Sequence, residues 1–371
     1  MVWAEINLEH LRHNLKMIRR VVRRSRSEIL AIVKADAYGH GMKAVALTLA
    51  KEGVSFFGVA TIQEALELRK ICPTVKVLVL GSFHKDQVAS YVRGKIRPTL
   101  SSEEDLRVLE KGLKPRSGFV VHVKIDTGMG RLGVWHEEAL SLLNKISRSD
   151  KIKIEGIYTH FASADEASGR STRRQMELFE RLRKEIKGLG IRPKYWHAAN
   201  SVGLIRFRKA RFNLVRPGLL LYGLNPWKAG EPGFELKPVL SLKTRISFLK
   251  DVPKGRRLSY GGTHETSAPT RIATLPIGYS HGYRVAFSNK SFVLVSGRRC
   301  PVVGRVTMDQ LLVDVGKALP VKRWDEAALI GRQNKACVSA EELAEIAGTI
   351  PYEIVCSIHS RIPRIYKGLR R

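Results

Sequence analysis

Apolar and polar positions follow a repeating order up to about residue 225. A short β-branched run is followed by a turn, and then by a segment whose apolar residues recur three and four positions apart, as in an amphipathic helix. The strand candidates are "EILAIV", "SFFGVA", "VKVLVLG", "IRPTL", "GFVVHVKI", "IKIEGIYTHF", "KYWHAANS" and "FNLVRPG". Strands that alternate with helices form parallel βαβ units. About eight such units predict a closed (β/α)8 TIM-type barrel rather than an open sheet.

The pattern changes near "LLLYGLNPWKAGEPGFELKP", Leu219 to Pro238, which is rich in glycine and proline. Beyond it come strand-like runs separated by turns, such as "RIATLPIG", "SFVLVSG" and "LLVDVG", with one clear helical segment, "SAEELAEIAG". The sequence therefore predicts an α/β protein of two domains. These are a barrel over residues 1–230 and a mostly β domain over residues 231–371.

Composition narrows the class of protein. The chain has 371 residues and a formal net charge of +31, with its lysines and arginines concentrated in amphipathic helical segments. No zinc-finger, basic-zipper or RNA-recognition signature accompanies this charge, so a solvated helix surface explains it better than a specific nucleic-acid partner. No apolar run is long enough to span a membrane, and the N-terminus does not read as a signal peptide. The default expectation is a cytoplasmic protein.

The four cysteines are scattered and form no metal-like cluster with histidine, so no metal is expected. They are Cys72, Cys300, Cys337 and Cys356. We interpret them as buried or idle thiols in a reducing compartment.

Polar side chains recur where the predicted barrel strands end, which is where barrel enzymes carry their chemistry. They are Lys34 and Tyr38 after the first strand, Lys124, Asp126 and Arg131 at the fifth, His160 at the sixth, His197, Asn200 and Ser201 at the seventh, and Arg216, Gly218 and Tyr222 at the eighth. Polar residues that only faced solvent would be scattered along the chain and would not recur at the same end of successive strands. The sequence therefore favours an enzyme site at that end of the barrel.

Single residues leave alternatives open. Lys34 closes an apolar run, so burial would lower its pKa as a Schiff-base lysine requires, although a lysine can also extend its amine to solvent. Ser201 and Gly218 fall in the loops where barrels often bind phosphate, but a structural turn would look the same. Tyr260, before two glycines in "SYGGTH", is either a packing residue or a general base.

Eight motifs in order along the chain resemble the alanine racemase family of fold-type III pyridoxal 5'-phosphate enzymes. They are "VKADAYGHG", "KIDTGMGRLG", "THFASADE", "HAANS", "VRPGLLLYG", "SYGGTH", "PIGYSHGY" and "GRVTMDQ". The resemblance covers essentially the whole chain. It implies a homodimer with shared active sites that interconverts L- and D-alanine and supplies D-alanine for peptidoglycan synthesis.

The resemblance also implies residue roles. Lys34 would hold the cofactor as a Schiff base and act as the base on the D face, and Tyr260 from the partner subunit would act on the L face. Tyr38, Ser201, Gly218 and the backbone at Leu219 match phosphate-binding positions. Arg216 matches the residue that faces the pyridine nitrogen, with His160 as its neighbour. Arg131 and Met308 match carboxylate-binding positions, Lys124 matches a lysine that is carbamylated in some members, and Tyr279 and Asp309 match residues around the entrance.

Two positions depart from the family pattern. Ser360 stands where several members carry a phosphate-binding tyrosine, and His281 stands where an acidic residue is common. Three other functions stay open at this point: an amino-acid racemase of different specificity, a pyridoxal phosphate carrier without catalysis, and a polyanion-binding protein. Tyr260 and Met308 argue against the carrier, and no motif supports polyanion binding.

Overall fold

The computed structural model describes residues 1–225 and 234–369. The chain begins with strand β1 (Trp3–Asn7) and helix α1 (Leu8–Val22), whose first turn is capped by the Asn7 side chain. The barrel region then contains β2 (Glu28–Ile32), α2 (Lys34–Gly39), α3 (Met42–Lys51), β3 (Phe56–Val59), α4 (Ile62–Ile71), β4 (Lys76–Val79), α5 (Val88–Gly94), β5 (Thr99–Leu100), α6 (Glu103–Gly112), β6 (Phe119–Asp126), β7 (Val134–Trp135), α7 (Ala139–Ser147), β8 (Ile152–Tyr158), α8 (Arg170–Gly188), β9 (Tyr195–His197), α9 (Ser201–Arg206) and β10 (Leu214–Val215).

Eight parallel strands form the barrel. One run of the sheet has the order β10-β2-β3-β4 and the other has the order β5-β6-β8-β9. A parallel bridge between Leu78 and Arg97 joins β4 to the segment before β5, and the amide of Arg216 donates to the Ala199 carbonyl at 2.9 Å beyond the ends of β9 and β10. The predicted (β/α)8 barrel is confirmed.

The remaining elements form a sheet-rich second region. Its strands are β11 (Leu240–Arg245), β12 (Phe248–Val252), β13 (Arg257–Leu258), β14 (His264–Glu265), β15 (Thr270–Leu275), β16 (Phe292–Val295), β17 (Arg298–Val303), β18 (Leu311–Asp314), β19 (Glu326–Gln333), β20 (Ala336–Val338) and β21 (Arg364–Lys367). Its helices are α10 (Ala340–Ala347) and α11 (Pro351–Cys356). The prediction of a mostly β second half is confirmed.

The first strand belongs to the sheet of the second region. β1 pairs antiparallel with β11 and parallel with β21, so the two ends of the chain lie side by side in one sheet. The predicted domain boundary after residue 230 lies outside the described residues and stays a prediction. No helix within the described ranges is both long and apolar enough to cross a membrane.

All four cysteines are free thiols. Cys72 and Cys300 are buried, whereas Cys337 is half-buried and Cys356 is exposed at the end of α11. The charge of Cys356 interacts with that of Lys34, so this thiol lies next to the predicted site.

Candidate active site

Lys34 is the first residue of α2, one residue beyond the end of β2, and lies at the C-terminal end of the barrel strands. Burial and the charge of Arg131 lower the pKa of Lys34 below its ordinary value, against the opposing effect of Glu64. A lysine with a lowered pKa is more readily neutral, and the neutral amine is the form that attacks a carbonyl or accepts a proton. The structure therefore supports the chemical interpretation of this residue.

The turn after Lys34 has left-handed backbone geometry at four consecutive residues that are not glycine. Ala35, Asp36, Ala37 and Tyr38 have φ angles between 50° and 55°. The Glu64 carboxylate accepts a hydrogen bond from the Ala35 amide at 2.7 Å, and the Asp36 carboxylate accepts one from the Met42 amide at 2.6 Å. These contacts hold a backbone conformation that L-residues disfavour.

Tyr38 and Gly218 meet beside this turn. A β-carbon added at Gly218 would lie 2.5 Å from the Tyr38 hydroxyl oxygen, so only glycine fits there. The Tyr38 ring lies 4.8 Å from the ring of Tyr222, whose hydroxyl donates to the Ile32 carbonyl at 2.8 Å. The lysine strand and the eighth-strand loop are thereby packed together.

Ser201 lies next to the same loop, at the start of α9. Its hydroxyl oxygen accepts from the Gly218 amide at 3.0 Å and from the Leu220 amide at 3.4 Å. Within the described part of the chain, neither the Leu219 amide nor the Tyr38 hydroxyl has a hydrogen-bond partner. The structure thus brings the predicted phosphate-binding residues together. Their unpaired donors could form hydrogen bonds with a ligand oxygen.

Positive charge surrounds Lys34 on the barrel side. Lys124 at the end of β6 is 4% exposed, and burial together with the charge of Arg131 lowers the pKa of Lys124 to about 8. Burial, followed by the charges of Arg216 and Lys124, lowers the pKa of His160 well below its ordinary value. A group of cations at a barrel mouth attracts an anionic ligand.

Arg216 is almost fully buried and tightly held. Its guanidinium donates from Nη1 to His197 Nδ1 at 2.8 Å and from Nη2 to the Thr159 carbonyl at 2.7 Å, the Ala198 carbonyl at 2.9 Å and His160 Nδ1 at 3.1 Å. Burial lowers the pKa of Arg216 to about 10, so the group stays protonated at neutral pH. Its Nε–H has no acceptor among the described residues and remains available to a ligand.

Arg131 lies in a loop organised by Asp126. That carboxylate accepts from the amides of Gly128 and Met129 at 2.8 Å each and from the Arg131 amide at 3.1 Å. Burial by itself raises the pKa of the Asp126 carboxyl, but hydrogen bonds from these backbone amides outweigh it and lower the pKa below its ordinary value. The loop leaves the Arg131 side chain exposed at the mouth of the barrel.

The predicted residues of the second region gather in a different place, an exposed group of loops. Tyr260, Met308 and Tyr279 are 72%, 55% and 46% exposed. The amides of Tyr279 and Ser280 donate to the carbonyls of Thr307 and Met308 at 3.0 Å, and the Ser280 hydroxyl donates to the Asp309 carboxylate at 2.7 Å. No hydrogen bond or ring contact joins Tyr260 to Lys34 within the described residues. The candidate residues of the second region therefore form a group of their own, without these contacts to Lys34.

The two departures lie near this second group. Ser360 is exposed and forms no hydrogen bond with Tyr38, Ser201 or Gly218 in the described part of the chain. His281 Nδ1 lies 3.3 Å from the Gly278 amide, and burial and the charge of Arg361 lower the pKa of His281. The His281 imidazole lies next to Ser280, its Nδ1 3.2 Å from the Ser280 hydroxyl oxygen.

Sequence reasoning missed three residues. Glu64 forms a capping box with Thr61 at the start of α4, and the T-x-x-E spacing could have revealed that cap but not its bond to Ala35. His122 and Glu155 are polar residues inside the barrel, and no sequence signal separates them from exposed strand positions.

Comparisons with known proteins agree over the whole chain. A family model described as the N-terminal domain of alanine racemase matches residues 6–226, and one described as the C-terminal domain matches residues 239–366. Similar relatives include the alanine racemase of Carboxydothermus hydrogenoformans, 42% identical with 98% of this chain and 99% of the relative covered. The alanine racemase of Halothermothrix orenii is 43% identical over 99% of this chain and 97% of the relative.

Solved structures of similar proteins share the fold. An alanine racemase from Clostridium difficile matches with a TM-score of 0.91 and 36% identity, covering 99% of this chain and 95% of the other. An alanine racemase from Bacillus anthracis with bound L-Ala-P matches with a TM-score of 0.91 and 35% identity, again over 99% and 95%.

Proposed function

Because this chain belongs to the alanine racemase family of pyridoxal phosphate-dependent isomerases, we propose that it interconverts L-alanine and D-alanine with pyridoxal 5'-phosphate as its cofactor. The observation that carries the proposal is the placement of Lys34, with its lowered pKa, beside Lys124, Arg131 and Arg216 at the barrel mouth. An anionic cofactor and an amino-acid carboxylate both fit such a site.

The residues present fit the cofactor. The Tyr38 hydroxyl, the Leu219 amide and Ser201 would hold the phosphate, and Gly218 lets the Tyr38 hydroxyl approach this loop because glycine has no β-carbon. Lys34 would hold the aldehyde end covalently, and Arg216 with His160 would face the ring nitrogen. When bound, pyridoxal phosphate supplies an electron sink that stabilises negative charge on the substrate α-carbon.

Racemisation requires removal of the α-proton from one face of the substrate and its return on the opposite face, which two bases on opposite faces accomplish. Lys34 Nζ would exchange the α-proton on the D face, and the Tyr260 hydroxyl of a second copy would exchange it on the L face. The 72% exposure of Tyr260 supports this division, because a base buried within its own chain could not reach another site. Arg216 keeps its own proton, so it holds the ring nitrogen without protonating it.

The substrate carboxylate would be held from both sides. Arg131 offers a guanidinium from the barrel, and Met308 from the second copy offers backbone donors, with Tyr279 and Asp309 around the entrance. Lys124 would orient Arg131 from beneath. In this proposal residues 1–230 bind the cofactor, and residues 231–371 complete the site of the partner in a cytoplasmic homodimer that supplies D-alanine for peptidoglycan.

The test is racemisation of alanine by the purified protein loaded with cofactor, compared with Lys34→Ala. We expect the variant to lose about 10³-fold or more of kcat in both directions, because both cofactor attachment and one proton transfer depend on this amine. It should also lose the visible absorbance of the bound cofactor. Lys43→Ala, which changes an exposed lysine in α3, is the control and should retain both. Full activity and unchanged absorbance in Lys34→Ala would refute the proposal.

A further inference from the structure

A line of polar side chains, buried at Arg216, His197 and His122 and half-buried at Glu155 and Arg97, extends from Arg216 through the barrel. Arg216 Nη1 lies 2.8 Å from His197 Nδ1, and His197 Nε2 lies 2.9 Å from His122 Nδ1. His122 Nε2 lies 3.3 Å from Glu155 Oε2, and Arg97 pairs with the same carboxylate, Nη2 lying 3.1 Å from Oε1. Both histidines are 0% exposed. Bulk solvent therefore does not reach either ring.

The chemistry of the two ends fixes the direction of every hydrogen bond in this line. A guanidinium only donates, so His197 Nδ1 must accept and its proton must be on Nε2. That proton is donated to His122 Nδ1, which places the His122 proton on Nε2 as well. An ionised carboxylate only accepts, so Glu155 receives the last bond. Neutral histidines with the proton on Nε2 are the one arrangement that satisfies all these atoms.

The electrostatics agree with this assignment. Burial, followed by the charges of Arg216 and His122, lowers the pKa of His197 well below its ordinary value, and burial lowers the pKa of His122. Burial by itself raises the pKa of Glu155, but the hydrogen bonds from His122 and Arg97 outweigh it and lower the pKa of Glu155 to about 2. At neutral pH the histidines are uncharged and the carboxylate is charged.

The barrel is shaped around His122. Gly156 is its cross-strand partner, and a β-carbon at Gly156 would lie 2.4 Å from His122 Nδ1. The β6–β8 register shifts between Val121 and His122, at the point where this ring enters the interior. The Tyr158 ring stacks on His197 with centroids 4.5 Å apart and an interplanar angle of 9°. Both imidazoles are therefore held in one orientation.

We propose that His122 and Glu155 are positioning residues for Arg216: they fix the His197 proton on Nε2, so that Nδ1 always accepts from the guanidinium. The consequence for catalysis rests on the proposed function, because it requires Arg216 to face the cofactor. Without the fixed proton, His197 can turn an N–H toward Arg216, and the two donors then repel each other.

The test measures histidine tautomers by ¹⁵N NMR of the holoenzyme, together with kcat and KM for alanine. In wild type we expect both imidazoles to be neutral with the proton on Nε2. Glu155→Gln keeps the shape but offers an amide donor, so we expect mixed tautomers at His122 and His197 and a loss of about tenfold in kcat with KM within about twofold. His122→Phe removes the acceptor of the His197 proton and should also give mixed tautomers at His197.

Glu28→Gln is the matched control. Glu28 is exposed at the start of β2 and accepts from the Tyr195 hydroxyl, but it is not bonded to either histidine, so tautomers and kcat should not change. Wild-type histidines that carry the proton on Nδ1 or are charged would overturn the proposal, as would unchanged tautomers and kcat in both variants. If wild type does not racemise alanine, the proposed function fails, while the tautomers still decide the positioning role.

Discussion

At the scale of single residues, the site pairs low-pKa amines with permanently charged guanidinium groups. Burial and the charge of Arg131 lower the pKa of Lys34 and that of Lys124, whereas Arg216 stays protonated. An amine that can be neutral accepts protons, and a guanidinium that cannot lose its proton only orients. The division between reactive and orienting groups thus follows from residue type and burial.

Lys124 makes a specific prediction for the dependence of stability on pH. Its pKa is about 8 in the fold against an ordinary 10.5, so the unfolded chain binds more protons between these values. Stability should therefore rise with pH across this window, because the cost of burying the charge disappears. Lys124→Met should lose this rise and gain stability mainly below pH 8, as measured by urea unfolding at several pH values.

Lys243→Met is the opposite case and serves as the control. Lys243 pairs with Glu5 at 3.1 Å and Glu326 at 2.9 Å, and although burial opposes the charge, these contacts raise the pKa of Lys243. The stabilisation from these ion pairs is fully present below the ordinary pKa of lysine and is lost as the pH rises through the raised pKa of Lys243. The Lys243→Met variant should therefore be less stable than wild type at neutral pH. If the free energy of unfolding of Lys124→Met changed with pH in parallel with that of wild type between pH 8 and 10.5, the lowered pKa of Lys124 would be contradicted.

Sequence alone predicted candidate reactive residues but not the residues that contact and support them. Lys34 was predictable because a lysine that ends an apolar strand is unusual, and family motifs predicted the roles of Arg216 and Tyr260. His122 and Glu155 were not predictable, because their bonds join β6 and β8 to β9 across the barrel. Such contacts depend on register, which local patterns do not encode.

At the scale of elements, the left-handed turn after β2 is the most strained part of the site. Four residues that are not glycine, Ala35 to Tyr38, adopt positive φ angles at a cost of about 1–2 kcal/mol each. The turn is held by Glu64 at one end, and at the other by Arg364 Nε, which donates to the Gly39 carbonyl at 3.1 Å. No glycine or asparagine marks residues 35–38 in the sequence, so this geometry could not be predicted.

Substitutions at Ala35 test that strain without changing the core, because this residue is exposed. Ala35→Gly should keep activity and stability within about 1 kcal/mol, since glycine adopts positive φ freely. Ala35→Val should lose about 2 kcal/mol or more and reduce kcat, because a β-branched residue resists this conformation and displaces Lys34. Urea unfolding and the alanine assay measure both effects.

Ala89→Val, at an exposed position in the right-handed helix α5, is the matched control. It should cost only about 0.5 kcal/mol, the ordinary helix-propensity difference. Equal losses in Ala35→Val and Ala89→Val would show that the turn stores no strain.

Among the other elements, the eight barrel strands were predictable from periodicity, whereas the pairing of β1 with β11 and β21 was not, because it joins residues far apart in the chain.

At the scale of the whole molecule, the candidate site residues fall into two groups, and we propose that a second copy of the chain brings them together. The barrel carries the lysine and its cations, and the second region exposes Tyr260, Tyr279 and Met308 away from them. Two-fold association lets one copy supply what the other lacks, since each contact is made twice. Solvated helix surfaces remain the explanation for the net charge of +31, and the structure adds no other.

The most direct measurement of this account mixes two inactive variants, Lys34→Ala and Tyr260→Phe, after dissociating and reassociating the subunits. A mixed dimer has one site with the native lysine of one chain and the native tyrosine of the other. Random pairing therefore predicts recovery of about a quarter of wild-type activity. Activity that stays at the average of the two separate variants would contradict a site shared between two copies of this chain.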